Sequence, residues 1–390
     1  MKNRYLTDEI LGDLKDRKMV FVGGPRQVGK TTLANTIVAE KFKRPFYFNW
    51  DNRGDRKRIL ESAWPADADL ISLDEIHKYR AWKNFIKGEY DKNKERYCFI
   101  LTGSSRMDVF RKGGDSLQGR YHYFRLHPFS LAELESRKNR FVVFKELDLP
   151  HETAPSSFES LLRFGGFPEP LIKQNDRVLR RWHNEKIDRM FREDIQDLAI
   201  IRDISSMKIL CDMLPGRVGS LLSTNAVRED LEVSFKAVAH WLDVLETFYY
   251  HFRVYPFVSK TIRSLKKEPK LYLWDWSELA DGSIRFENMV ASHMLKFVHY
   301  LYDFEGYKTG LYFLRDLSKK EVDFLVTVDG KPWFAVEVKE HDISPARNLL
   351  MFKEKWKIPF CYQVVKTSGV DRYTSGIRIV SADKFLLGLV

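Results

Sequence analysis

The 390-residue chain holds only three cysteines, Cys98, Cys211 and Cys361, far apart in sequence and with no CxxC among them. That excludes a cysteine-based zinc site and a disulfide framework, and the three read as reduced thiols of a cytoplasmic protein. No apolar run approaches the ~18 residues needed to span a bilayer, so no membrane partner is expected. The first residues alternate charge with apolar positions and lack the apolar core of a signal peptide. Internal repeats and low-complexity tracts are missing too. Acidic residues are in the minority, 54 against 65 lysines and arginines, a formal charge of +11. With 44% hydrophobic and 31% charged residues the composition is that of a globular protein, long enough for two or three domains.

The positive surplus favours a polyanionic partner. It is concentrated in two stretches. Residues 173–193 carry Lys173, Arg177, Arg180, Arg181, Lys186, Arg189 and Arg192, diluted by four acids. Residues 253–270 carry Arg253, Lys260, Arg263, Lys266, Lys267 and Lys270 against Glu268 alone, and phosphate contact is expected of this second stretch first.

Short apolar runs at 19–24, 45–50, 68–74 and 98–104 alternate with helical patterns, as in a parallel α/β sheet. From Ser130 to about Ile201 charge-rich helical sequence takes over. Residues 205–257 read as a helical module closed by an aromatic β-ribbon, and 266–270 as a linker. A second α/β pattern follows: helices near 285–300 and 345–356, and strands at 311–316, 321–328, 333–339 and 360–366.

Gly24-Pro25-Arg26-Gln27-Val28-Gly29-Lys30-Thr31 satisfies GxxxxGK[ST] between an apolar strand and a helix. Two glycines let successive N–H groups turn inward onto phosphate oxygens, and the helix N-terminus adds its positive end. Lys30 then reaches the β- and γ-phosphates, the Thr31 hydroxyl holds Mg²⁺, and Thr32 is counted with the nucleotide-binding residues. Asp74, ending the next apolar run but one, is placed for the metal, and Glu75 for polarising the attacking water. Ser104, at the end of the fourth run, is the candidate for touching the γ-phosphate. Arg120 and Arg125 are candidates for neutralising transition-state charge, Arg120 as a finger reaching a neighbouring subunit.

Together GGPRQVGKTTL, LISLDEIHKYRAWK, FILTGSSR, SLQGRYHYFRLHPFSLAEL and GGFPEPL resemble the bacterial and archaeal AAA-type ATPases with a C-terminal domain of unknown function. The resemblance implies ATP and Mg²⁺ as cofactors. It maps Lys30, Thr31, Asp74, Glu75, Ser104 and Arg120 onto Walker A, Walker B, sensor and arginine-finger positions, and makes a homo-oligomer the expected ATP-bound state. Relatives commonly have glutamine where this chain has His77, which is expected to be exposed.

The stretch 224–257 resembles the helix-turn-helix and wing of winged-helix domains, with Ser234 as N-cap and Val238, Leu242 and Leu245 on the buried stripe. It is read either as a DNA-docking element or as a spacer. In EVDFLVTVDGKPWFAVEVKE a hairpin centred on Gly330 sets Asp323 across from Glu337, within about a residue of register. Glu337 and Lys339 lie on one face of their strand. Two carboxylates and a lysine converge as a Mg²⁺ nuclease site requires, and Glu287 completes the acidic set. This pattern resembles the restriction-endonuclease-like PD-(D/E)xK fold, with Val322 where proline is usual. It implies a second Mg²⁺ or Mn²⁺ held by Glu287, Asp323 and Glu337.

The expected architecture is therefore α/β: an AAA-type P-loop ATPase core (1–135), a helical lid (136–204), a winged-helix connector (205–265) and a restriction-endonuclease-like α/β domain (271–390). The expected activity is Mg²⁺-dependent ATP hydrolysis acting on DNA. The C-terminal domain either cuts nucleic acid or serves an ATP-dependent switch by binding a partner.

Overall fold

The computed structural model describes residues 3–103, 117, 119–195, 203–258 and 267–390, and these form two compact units, Met1–Pro128 and Phe129–Val390. Ser104, Lys260, Arg263 and Lys266 lie outside the described residues.

The first unit is built on five parallel strands, β1 (Met19–Gly23), β2 (Pro45–Asn49), β3 (Leu70–Asp74), β4 (Cys98–Gly103) and β5 (Tyr121–Arg125), in the order β2-β3-β4-β1-β5. The uninterrupted apolar runs of β1, β3 and β4 are buried along their whole length, as strands covered on both faces must be. β5 carries the mixed sequence YHYFR at the sheet edge, with only Phe124 buried. Its polar alternation kept it out of the expected strand set. The order matters for chemistry. β4 lies between β1 and β3, so the C-terminal end of β4 is flanked by the glycine loop on one side and Asp74 on the other.

The second unit carries an eight-stranded mixed sheet: β6 (His251–Pro256), β7 (Lys270–Leu273), β8 (Thr309–Arg315), β9 (Glu321–Val328), β10 (Lys331–Lys339), β11 (Phe360–Val365), β12 (Asp371–Thr374) and β13 (Ile377–Ser381), in the order β12-β13-β11-β10-β9-β8-β6-β7. Side chains alternate across it. Phe324, Val326, Phe334 and Val336 pack with Phe286, Met289, Met294 and Phe297 of the helix Gly282–Asp303. Leu325 and Ala335 pack with Leu349 and Phe352 of the helix Arg347–Trp356.

Where a helix-turn-helix was expected, the chain forms two consecutive helices, Thr224–Asp230 and Phe235–Thr247. Ser234 caps the second helix, accepting from the Ala237 N–H at 3.2 Å, and Val238, Leu242 and Leu245 are buried. The ribbon after it departs from the expected segmentation. β6 pairs with β7 but also runs parallel to β8, Tyr255 beside Tyr312 and Pro256 beside Phe313. The ribbon expected as a wing thus supplies β6, a strand of the C-terminal sheet, and Lys270, expected in a linker, opens β7 of the same sheet. The apolar residues of HFRVYP and KLYL are covered by the helices Phe235–Thr247 and Gly282–Asp303, which share their buried cluster.

Candidate functional site: the glycine loop and its acid

β1 ends in Gly23, and the chain turns through Gly24 (φ 150°), Gln27 (φ 58°) and Gly29 (φ 100°). At Gly24 a Cβ would stand 2.4 Å from the Leu126 carbonyl oxygen, so no side chain fits there. At Gly29 the left-handed backbone caps the helix that starts at Lys30, a conformation glycine adopts without strain. The loop is also held from outside. The buried Arg4 donates to the carbonyl of Val28 at 2.8 Å and to that of His127 at 2.5 Å. Lys30, itself buried, donates to the Gly24 and Pro25 carbonyls at 3.0 and 2.7 Å.

Asp74 is the hub beside the loop. The Thr31 hydroxyl donates to its Oδ2 at 2.8 Å and the Tyr47 hydroxyl to the same oxygen at 3.0 Å, while the Thr102 hydroxyl donates to Oδ1. A hydroxyl and a carboxylate oxygen side by side at the start of a helix are hard ligands of the kind Mg²⁺ takes. Glu75 follows in a left-handed conformation (φ 58°), its N–H donating to the Thr102 carbonyl at 2.9 Å. Its carboxylate lies close enough to feel the charges of Lys30, Asp74, Lys78 and Arg26. Burial raises the Glu75 pKa, against the opposing pull of Lys30. His77 is buried, not exposed as expected, with Nε2 3.6 Å from Glu75 Oε2. Burial and the nearby lysines hold its pKa down to about 3, so it is a neutral imidazole against the Glu75 carboxylate.

In the second unit the hairpin β9–β10 turns at Asp329 and Gly330, both at positive φ. Such a two-residue turn pairs Lys331 with Val328 and Pro332 with Thr327. A bulge at Trp333 then advances β10 by one residue, pairing Phe334 with Val326 and Val336 with Phe324. The next step of that register brings Glu337 to Asp323. Without the bulge every later β10 side chain would face the other way. Asp323 Oδ2 accepts from the Val338 N–H at 2.9 Å, and Glu337 Oε1 lies 2.7 Å from Lys339 Nζ.

The expected metal position holds a side chain instead. Lys270, 4% exposed, places its ammonium 2.6 Å from Glu321 Oε1, 3.5 Å from Asp323 Oδ1 and 3.8 Å from Glu287 Oε1. Tyr272 donates to Glu287 Oε1 at 2.7 Å, and Arg315 lies 2.6 Å from Glu321 Oε2. Burial and the charge of Asp323 push the carboxyls of Glu287 and Glu337 up to about 7. Burial works against the charge on Lys270, but Asp323, Glu287 and Glu321 outweigh it and raise its pKa. Among the described residues no group of three or more His, Cys, Asp or Glu is arranged to hold a metal ion. The residues brought together here therefore do not fit a resident divalent cation.

Residues 16–135 match the family model described as an AAA domain. This part of the chain is an AAA-type P-loop ATPase domain. Its fold and loop support ATP binding and hydrolysis. Residues 155–280 and 283–385 match two models, each described as a domain of unknown function. An uncharacterized protein of Methanocaldococcus jannaschii is 22% identical over 380 residues, covering 91% of this chain and 82% of its own length. One of Mycobacterium tuberculosis is 22% identical over 381 residues, covering 92% and 81%. A solved structure of the Thermotoga maritima RuvB Holliday junction branch migration motor is 20% identical with a TM-score of 0.34, covering 68% of this chain and 96% of that one. At that score the likeness carries no weight for activity. No helix among the described residues is long and apolar enough to cross a membrane.

Within the ATPase domain, Gly24 to Thr32, Asp74 and Glu75 lie together as the motif spacing requires. Arg120 does not reach them. It forms a forked pair with Asp91 of its own chain, Nε to Oδ1 at 2.8 Å and Nη2 to Oδ2 at 3.1 Å. Three contributors escaped the sequence reading: Arg4, Tyr47 and Thr102. Thr102 alone left a signal, as a hydroxyl residue within the same apolar run that ends at Ser104 in sequence.

Proposed function

We propose that the chain is a Mg²⁺-dependent ATPase acting on DNA as a nucleotide-driven switch, whose C-terminal domain binds without cutting. The hub at Asp74 carries the reading: Thr31, Thr102 and Tyr47 converge on one carboxylate next to Glu75 and Lys30. In this reading the loop N–H groups and Lys30 would bind the phosphates, and Thr31 and Asp74 would hold Mg²⁺, which would supply charge neutralisation when bound. Glu75, next to Asp74 in the chain, positions water.

For DNA, the 253–270 stretch loses two of its cations to internal partners. Arg253 pairs with Glu246 and Asp243, and Lys270 with Glu321. The helix Asp176–Arg189 offers Arg177, Arg180 and Arg181 exposed at i, i+3 and i+4, a phosphate-facing stripe. The nuclease alternative has the convergence of Asp323, Glu337 and Lys339 in its favour and Lys270 against it. Arg120 is read as acting in trans in an ATP-bound homo-oligomer, released from Asp91 on assembly.

The test is steady-state ATP turnover with nucleotide affinity measured beside it. Lys30→Ala abolishes binding, Glu75→Gln binds and does not turn over, and Arg120→Ala keeps affinity while losing ~10³ in turnover. Wild-type turnover in Glu75→Gln would overturn the assignment of the water-positioning residue.

A further inference from the structure

Four carboxylates, Glu287, Glu321, Asp323 and Glu337, converge where a restriction-endonuclease-like fold would hold its metal, and three cations, Lys270, Lys339 and Arg315, stand among them. Lys339 and Arg315 approach from partly exposed positions and each serves one carboxylate. Lys270 alone is buried and touches three. Its backbone is pinned on both sides: the Leu222 N–H donates to the Pro269 carbonyl at 2.8 Å and the Gly219 N–H to the Leu271 carbonyl at 3.0 Å. Across the ribbon, β6 pairs with it at Val254. The strand that carries Lys270 is thus fixed along both edges, and its side chain is enclosed among the carboxylates.

A divalent ion at this place would have to sit beside that ammonium and share its oxygens. Asp323 has none to spare cheaply, one oxygen facing Lys270 and the other accepting from Val338. Glu337 Oε2, by contrast, is buried with no hydrogen-bond partner, and Glu337 is 5% exposed. A buried carboxylate oxygen is thus left without a hydrogen bond in a cluster whose cation is already supplied by the chain.

We propose that Lys270 is the resident cation of this cluster, standing where a nuclease-type fold holds a divalent metal, and that the C-terminal domain is metal-free for that reason. A divalent-cation site is latent in Asp323, Glu337 and Glu287 and opens when the ammonium is removed. The inference is independent of the ATPase reading.

The experiment is Mn²⁺ titration of full-length, nucleotide-free, EDTA-treated protein, free Mn²⁺ being read by its electron paramagnetic resonance signal. Every arm carries Asp74→Asn, so that the ATPase domain contributes no site. With Lys270 intact, adding Asp323→Asn should leave the Mn²⁺ isotherm unchanged. Lys270→Met should gain one Mn²⁺ per chain, lost again when Asp323→Asn is added. Lys270→Gln, which keeps a polar end in the cluster, serves as the second variant if the methionine form does not fold. Mn²⁺ binding that Asp323→Asn abolishes while Lys270 is present would overturn the proposal, and this arm needs no Lys270 variant. A folded Lys270 variant that gains no Mn²⁺ would overturn it equally. Neither result touches ATP turnover, so failure here and failure of the ATPase reading are separable.

Discussion

Thr102→Val removes one hydroxyl from the Asp74 hub and nothing else of size, since valine has the shape of threonine. Thr102 is 2% exposed and Asp74 6% exposed, so no water replaces the lost donor at Oδ1 without rearrangement. A buried hydrogen bond to a charged group contributes about 1.5–3 kcal/mol. If Asp74 must hold its orientation in the transition state, that loss divides turnover by roughly 10 to 150, at 1.36 kcal/mol per factor of ten. Tyr47→Phe is the internal comparison. Tyr47 is 40% exposed and shares Oδ2 with Thr31, so the carboxylate keeps a partner there, and the loss should stay below roughly tenfold. Phosphate release under saturating ATP gives turnover, a fluorescent nucleotide gives affinity, and circular dichroism reports folding. Thr102→Val with turnover within about twofold of wild type, equal affinity and an unchanged fold would refute the orienting role. So would a larger defect in Tyr47→Phe than in Thr102→Val.

Replacing Arg177, Arg180 and Arg181 by alanine should flatten the slope of log DNA affinity against log salt by about 2.7, roughly 0.9 per phosphate lost, whereas Arg253→Ala should leave it unchanged. Equal slopes in the triple variant would remove the helix Asp176–Arg189 from the interface. His293 is buried, accepting from the Leu131 N–H and donating to the Met289 carbonyl, and burial holds its pKa down to about 4. The unfolded chain titrates it near 6.5, so at pH between those values the unfolded state binds the extra proton and stability falls as pH falls. The loss approaches about 1.4 kcal/mol per pH unit well below 6.5 and levels off near pH 4. His293→Gln should therefore reduce the acid slope of thermal stability between those limits, and an unchanged slope would contradict the buried neutral state.

The glycine loop was legible because its chemistry is local. Eight consecutive residues supply the donors, the lysine and the hydroxyl, and the strand before and helix after them are set by short-range pattern. Asp74 and Glu75 were legible for the same reason, an acid pair ending a buried strand. The facing of Asp323 and Glu337 was legible from the turn at Gly330 to within a residue. The bulge at Trp333 decided the final step, and no hydrophobic pattern announces a bulge. Tyr47 and Thr102 reach the acid through the parallel order of β2, β3, β4 and β1, which brings distant stretches to one end of the sheet, and Arg4 reaches the loop from the segment before the first helix. Lys270 was legible as charge and misread as surface. In sequence it stands in a basic run beside a proline. Only the pairing of β7 onto β6, and of β6 onto β8, makes Lys270 part of the sheet and sets it among acids 17 to 53 residues further along the chain. Composition counts a cation without regard to where it lies. Whether it meets solvent, phosphate or its own carboxylates depends on which strand lies beside it.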